Sequence, residues 1–239
     1  MDYVCRAFCN GSIMTTYLFP NRPQPALPVT GETALYPVSR IFCVGRNYAA
    51  HAAEMGGEVD REAPFYFIKS AHHLVQSGAV LPYPPGTNDL HHEVELVVAL
   101  GTSAFRVAQS AALDCVLGYA VGLDMTRRDL QGAAKDKKRP WDTGKDFEGS
   151  AVIGPISRTL MPVAISLTVN GTQRQSAPMT DMVWDVASLI SHLSTLYHLE
   201  PGDLIMTGTP AGVAAVGPGD RLQGSAPGLS PVLLTIGPA

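Results

Sequence analysis

The 239-residue chain carries a formal charge of −4 at pH 7, with 46% hydrophobic residues, 16% charged residues and a mean hydropathy of +0.10. That length and apolar content suffice to bury a large core and exclude an intrinsically disordered chain. The longest basic run is Lys137-Lys138-Arg139, and no segment approaches the roughly 18 apolar residues of a membrane span, so neither nucleic acid nor a membrane is expected as a partner. The four cysteines, Cys5, Cys9, Cys43 and Cys115, form no C-x-x-C pair, which argues against a disulfide framework or zinc ribbon and points to a reducing cytoplasm.

Residues Met1 to Ile13 differ in character from the rest of the chain and lack the basic and apolar regions of an export signal. Met14 makes a natural start, and the leader is read as a gene-start artefact without function. Leader and proline-rich arm together take residues 1–35, and one folded domain takes 36–239. The 23 glycines and 19 prolines leave mostly short apolar runs, so the expected class is mainly β with a few helices (α+β). Pro20 to Pro37 reads as an extended arm, followed by a strand at Arg40 to Val44, a turn at Gly45-Arg46-Asn47 and a short helix from Tyr48 to Met55. Gly56 to Glu62 reads as a mobile loop and Phe65 to Lys69 as a strand. Glu93 to Leu100 and Gly118 to Asp124 are expected as buried strands, and Thr126 to Lys135 as a helix with Arg128 and Gln131 on one face. Asn170-Gly171 predicts a type I′ hairpin between Ile165 to Val169 and Thr172 to Gln175. The longest helix is expected over Met182 to Tyr197, N-capped by Asp181 or Thr180, with Val186, Leu189, Ile190, Leu193 and Leu196 or Tyr197 on its apolar stripe. Leu204 to Thr207 reads as a strand leading into the glycine-rich loop Gly208-Thr209-Pro210-Ala211-Gly212.

The chemistry-bearing residues lie on these elements. Glu93 and Glu95 are two apart on a strand, so both carboxylates leave one face while Val94 and Leu96 pack on the other. Paired carboxylates on an otherwise apolar strand call for a cation. Their hard oxygens favour Mg²⁺, Mn²⁺ or Ca²⁺ over zinc, with His91 and His92 keeping a transition metal open; the plain alternative is a solvated edge strand. Asp124 offers a third oxygen or a helix cap. His51 and Glu54 share a helical face, either as a dyad that polarises water or as an ordinary surface pair. Lys69 and Lys145 read as site cations or solvated lysines, and the Thr207 to Pro210 loop as an anion-binding turn or a plain one.

Four blocks give these single signals a context: Gly45-Arg46-Asn47-Tyr48-Ala49-Ala50-His51-Ala52-Ala53-Glu54-Met55; Leu90-His91-His92-Glu93-Val94-Glu95-Leu96; Gly122-Leu123-Asp124-Met125-Thr126-Arg127-Arg128-Asp129-Leu130-Gln131; and Gly202-Asp203 with Thr207-Gly208-Thr209-Pro210-Ala211-Gly212-Val213. In this order they resemble the fumarylacetoacetate hydrolase family over about Tyr36 to Leu222. Pro140-Trp141-Asp142 and Lys145-Asp146-Phe147 are most similar to members that hydrolyse acylpyruvates such as fumarylpyruvate in bacterial gentisate breakdown. Ser70, His72-His73 and Ala214-Ala215 depart from the family pattern.

The resemblance implies a mixed β-sandwich or β-roll core and a homodimer. It implies Mg²⁺ or Mn²⁺, with Ca²⁺ as a substitute, on Glu93, Glu95 and Asp124, and catalysis by His51, Glu54 and Lys145. Arg46, Lys69, Gln131 and Thr209 match substrate-contacting positions. The expected activity is hydrolysis of the carbon–carbon bond of an acylpyruvate, most specifically fumarylpyruvate to fumarate and pyruvate. The alternatives are oxaloacetate decarboxylation, hydroxymuconate-type isomerisation, and a non-catalytic metal-stabilised binding protein.

Overall fold

The computed structural model describes residues 18–20, 22–56, 61–159 and 161–239; the Met1 to Ile13 leader and residues 57–60 of the Gly56 to Glu62 loop lie outside them. Two sheets dominate. In the seven-stranded sheet the order is Phe65–Lys69, Arg40–Gly45, Asp203–Met206, Val94–Leu100, Val116–Asp124, Ala151–Ile153 and Leu74–Gln76, with parallel and antiparallel neighbours mixed. In the five-stranded sheet it is Thr172–Pro178, Ala164–Val169, Arg221–Ser225, Val232–Gly237 and Ala79–Pro82. This is the mainly β, α+β architecture expected from the dense glycine and proline punctuation.

The larger sheet has to curl. Its two edge strands, Phe65–Lys69 and Leu74–Gln76, are joined only by Ser70 to His73. Six strand spacings would hold the edges of a flat sheet about 29 Å apart, whereas so short a link spans at most roughly 18 Å. Side-chain alternation separates the two faces of the curl. Phe42, Val44, Val94, Leu96, Val98, Val121 and Leu123 face the second sheet, where they meet Ile165, Leu167, Leu222, Val232 and Leu234 and the helix residues Leu189, Ile190 and Leu193. On the concave face Ile41, Cys43, Val97, Ala99, Ala120, Ala151, Ile153, Leu204 and Met206 form a second core. There is little room inside: a Cβ on Gly122 would lie 2.7 Å from Val97 Cγ2 and 3.2 Å from Met206 Cε.

Several elements differ from expectation because tertiary pairing overrides local preference. Thr126 and Arg127 form a short ladder with His91 and Leu90, so the helix begins at Arg128 and runs to Asp136. The long helix is Val186–Leu196, capped by Asp185, whose Oδ1 accepts the Ser188 N–H at 2.7 Å. Residues 182–184 are held instead by Tyr48 and Asn47: Met182 bridges to Tyr48, and Asn47 exchanges hydrogen bonds with Trp184 and accepts one from Val183. At the far end Leu196 and Tyr197 are 57% and 39% exposed, off the buried stripe. The Asn170-Gly171 turn takes positive φ at both residues, 52° and 77°, as a type I′ turn requires. Within the proline-rich arm, Ala26–Pro28 pairs antiparallel with Leu35–Pro37 and buries Leu27 and Tyr36.

Candidate functional site

The functional residues gather at one end of the concave face. Because Val94, Leu96 and Val98 of the Val94–Leu100 strand turn toward the second sheet, Glu95 shares the inward face with Val97 and Ala99, and Glu93 precedes it in the same alternation. Asp124 ends the neighbouring strand on the face shared with Ala120. One oxygen from each of Glu93, Glu95 and Asp124 lies within 4.8 Å of the others, and the three residues are 4%, 1% and 0% exposed. The short helix Asp142–Lys145 delivers a cation into this cluster. Lys145 Nζ donates to Glu93 Oε2 at 2.8 Å, Asp124 Oδ2 at 2.7 Å and Thr126 Oγ1 at 2.7 Å.

Two further carboxylate oxygens take guanidinium and backbone donors. Arg128 Nη2 donates to Glu93 Oε1 at 2.5 Å and Arg128 Nη1 to Gln131 Oε1 at 2.7 Å, which places the Arg128 and Gln131 helical face over the carboxylates. The Gly208 N–H donates to Glu95 Oε2 at 2.8 Å. Burial pushes Glu93 upward, but the Lys145 and Arg128 charges outweigh it and hold this carboxyl well below the usual range. Glu95 goes the other way: burial, then the negative Asp124 and Glu93, raise it far above the carboxylate range. Burial lowers the Lys145 ammonium's affinity for its proton, and the Asp124 and Glu93 charges more than restore it.

His51 is carried by the helix Ala49–Glu54 and is 7% exposed. Its Nδ1 lies 3.3 Å from Glu54 Oε2, and both Glu54 oxygens accept the Gly212 N–H at 3.1 Å. Burial lowers the imidazole's proton affinity, so the neutral ring is favoured at neutral pH. Glu93, Glu95, His51, Lys145, Arg46, Gln131 and Thr209 border one cavity of about 30 Å³, so the structure brings together seven of the ten residues singled out from sequence. Glu54 stands behind His51. Asp124 and Lys69, both fully buried, do not line the cavity.

Lys69 is fully buried. Its Nζ lies 2.8 Å from Asp124 Oδ1, out of hydrogen-bonding alignment, and donates to the carbonyls of Met125 and Lys145. Its contacts are therefore to protein, and it props Asp124 and the Lys145 backbone. The Thr209 hydroxyl donates to the Val94 carbonyl at 2.9 Å and accepts from Gln175 Nε2 at 2.8 Å.

Sequence reasoning missed Arg128 as a carboxylate partner, although its spacing from Gln131 signalled the shared face. It also missed Lys135 and Trp141, which border the cavity with Lys135 Nζ 4.8 Å over the indole. A larger cavity of about 460 Å³ with walls at Phe65, Phe67 and Trp141 opens beside Lys145.

The donor set suits a hard divalent cation: three buried carboxylates converge, all ligand atoms are oxygen, and Asp124 Oδ1 accepts no aligned hydrogen bond. Among the described residues this is the one group of three acidic, histidine or cysteine side chains close enough to share an ion. Three buried carboxylates bonded to an ammonium, with an imidazole bordering the same cavity, are an arrangement suited to the chemistry of metal-assisted acid–base enzymes. The family model for the fumarylacetoacetate (FAA) hydrolase C-terminal domain matches residues 40–236, and the chain belongs to this family.

Among relatives, it is 51% identical over 191 residues to a fumarylpyruvate hydrolase from Ralstonia sp., covering 77% of this chain and 100% of that protein. It is 38% identical over 190 residues to a mitochondrial oxaloacetate tautomerase of Caenorhabditis elegans, covering 77% and 88% of the two chains. The crystal structure of fumarylpyruvate hydrolase from Pseudomonas aeruginosa in complex with Mn²⁺ and pyruvate superposes with a TM-score of 0.90 at 42% identity, covering 94% of this chain and 100% of that one.

Proposed function

We propose that this protein is a divalent-metal-dependent hydrolase that cleaves the carbon–carbon bond of an acylpyruvate, with fumarylpyruvate giving fumarate and pyruvate. The observation that carries the reading is the meeting of Glu93, Glu95, Lys145 and His51 around one cavity. The likeness to the Ralstonia and Pseudomonas enzymes supports the acyl group.

Glu93, Glu95 and Asp124 would hold the cation, and the all-oxygen donor set supports Mg²⁺ or Mn²⁺, with Ca²⁺ as a substitute. When bound, such an ion supplies Lewis acidity toward the 2-oxo acid end of the substrate. His51, neutral and held by Glu54, accepts a proton from the water that adds to the distal acyl carbonyl. Glu54, pinned by the Gly212 N–H, fixes the ring's orientation. The carbon–carbon bond then breaks, its electron pair leaves with the pyruvate half as an enolate, and Lys145 lends its positive charge to that leaving group. Proton transfer to the enolate carbon completes pyruvate. Arg46, Gln131 and Thr209 line the path of the bound substrate, and Lys69 keeps Asp124 in place.

A homodimer is the proposed assembly. Val80 and Leu233, on the neighbouring strands Ala79–Pro82 and Val232–Gly237, are 67% and 42% exposed and put two apolar side chains on the outer face of the second sheet, beside Arg221, Gln223 and Thr235. A cytoplasmic setting is proposed, supported by Cys43 and Cys115, which are free and buried; among the described residues no helix is long and apolar enough to cross a membrane.

The test is purified protein with fumarylpyruvate and Mg²⁺, following loss of the enol absorbance and appearance of pyruvate, with a chelator control. Metal-dependent cleavage is expected. Turnover of oxaloacetate without fumarylpyruvate cleavage would replace this reading with the tautomerase-type one that the C. elegans relative favours.

A further inference from the structure

The catalytic reading leaves unexplained a buried glutamine that reaches the site from the other sheet. Gln175, on the Thr172–Pro178 strand, is 1% exposed and uses both ends of its amide. Its Oε1 accepts from the Val94 N–H at 3.1 Å and lies 2.9 Å from His92 Nδ1. Its Nε2 donates to Thr209 Oγ1 and to the Pro210 carbonyl, each at 2.8 Å. One side chain thus grips residues flanking Glu93 with its oxygen and the middle of the glycine-rich loop with its nitrogen. That loop holds both halves of the site through its amides: Gly208 N–H on Glu95 and Gly212 N–H on Glu54. The packing there is close, since a Cβ on Gly212 would lie 2.0 Å from the Arg174 carbonyl oxygen.

We infer that Gln175 is a positioning residue that sets the loop Gly208 to Gly212 against the carboxylate strand, so that the His51 and Glu54 pair and the Glu93, Glu95 and Asp124 cluster keep a fixed separation. It touches no reacting atom, and its effect on turnover passes through Thr209, Pro210 and the two glycine amides. Fully satisfied buried polar links of this kind specify one arrangement of the segments they join. The inference rests on the hydrolase reading only for its turnover readout.

The test is Gln175→Glu in the full chain. It is the same size and keeps both acceptor contacts of Oε1, but it places an oxygen against the Thr209 hydroxyl and the Pro210 carbonyl. Amide hydrogen exchange at Gly208 to Gly212 is expected to speed up at least tenfold. Mn²⁺ affinity should stay within threefold of wild type, and kcat with fumarylpyruvate should fall tenfold or more. Combined with Glu54→Gln, the same substitution should add less than it costs alone, because its route through the Gly212 amide and Glu54 is already cut and only the Gly208 amide on Glu95 remains.

Thr209→Val, which removes one of the loop's two acceptors for Gln175 Nε2 together with the Thr209 hydroxyl's own bond to the Val94 carbonyl, and leaves the Gln175 oxygen on His92 and the Val94 N–H, should give the same exchange pattern and serves if Gln175→Glu fails to fold. Unchanged loop exchange in either folded variant overturns the inference, as does a loss of Mn²⁺ affinity in step with kcat. If wild type does not cleave fumarylpyruvate, the hydrolase reading fails, while the exchange and Mn²⁺ results still decide the role of Gln175.

Discussion

Replacing Lys145 with methionine should make the ion-free protein less stable and, at the same time, a tighter binder of divalent cations. Lys145 Nζ is the counter-charge that touches both Glu93 and Asp124, at 2.8 and 2.7 Å, in a site where the acids are almost wholly buried. Removing one partner of a buried ion pair costs about 3–5 kcal/mol, because the charges left behind have neither water nor a partner. Arg128 still pairs with Glu93 and Lys69 with Asp124, which puts the expected loss at the low end, about 3 kcal/mol. For a chain of this size each kcal/mol moves Tm by roughly 2–4 °C, so the variant should melt about 6–12 °C below wild type in a chelator.

Methionine keeps an unbranched apolar stem, so the loss reports charge more than packing. With a positive neighbour gone, the carboxylates should hold Mn²⁺ at least tenfold more tightly, a gain of about 1.4 kcal/mol. Saturating Mn²⁺ should then recover most of the lost Tm through preferential binding to the folded state. Thermal melts in chelator and in Mn²⁺, with a calorimetric Mn²⁺ titration, measure both halves. Equal melting of the two proteins in chelator, or weaker Mn²⁺ binding by the variant, would refute the assignment of Lys145 as the site's counter-charge.

Glu93→Gln should lose Mn²⁺ binding and turnover together in calorimetry and the pyruvate assay, whereas His51→Ala should keep the ion and lose at least a hundredfold in kcat, the scale of one general base. Full turnover by His51→Ala would remove the dyad from the mechanism. In a pH–rate profile, burial of His51 should bring the acid limb of kcat/KM below the ordinary histidine value of about 6.5. Since contact with Glu54 raises that value, Glu54→Gln should move the limb further toward acid, with the base staying deprotonated to lower pH; a limb that stays or moves up contradicts the assignment. Gly122→Ala should destabilise by about 1–3 kcal/mol in denaturant melts, because its methyl would meet Val97 and Met206 inside the curl.

The strongest signals in the sequence were those set by local physics. Alternation along Val94 to Leu100 placed Glu93 and Glu95 on one face, and Asn170-Gly171 fixed a turn, because each depends only on neighbours in the chain. The start of the long helix was harder to place: Asp181 and Asp185 are both competent caps, and the choice was made by Asn47, distant in sequence, which holds 183 and 184 outside the helix. Lys69 and Lys145 stood on opposite sides of the site region in sequence, each readable as a solvated lysine. Only the curl brings both onto Asp124. Gln175 carried no local signal at all, since it reads as one more polar residue at the end of a hairpin and its partners belong to other elements. Features that depended on pairing across the chain were visible only as family resemblance.

The central position of Asp203–Met206 has a consequence for how the molecule is made. This strand separates Arg40–Gly45 from Val94–Leu100 and bonds to both, in parallel register with the first and antiparallel with the second. During synthesis the two earlier strands leave the ribosome long before the segment that joins them, and neither can complete its ladder by pairing with the other. The late arrival of their shared neighbour makes the fold one of long-range contacts and slow closure, with open β-edges exposed until most of the polypeptide has emerged. Nascent chains ending before residue 203 would carry all three acids of the metal cluster and still lack the Gly208 amide that receives Glu95, so the site is born only with the last sixth of the chain.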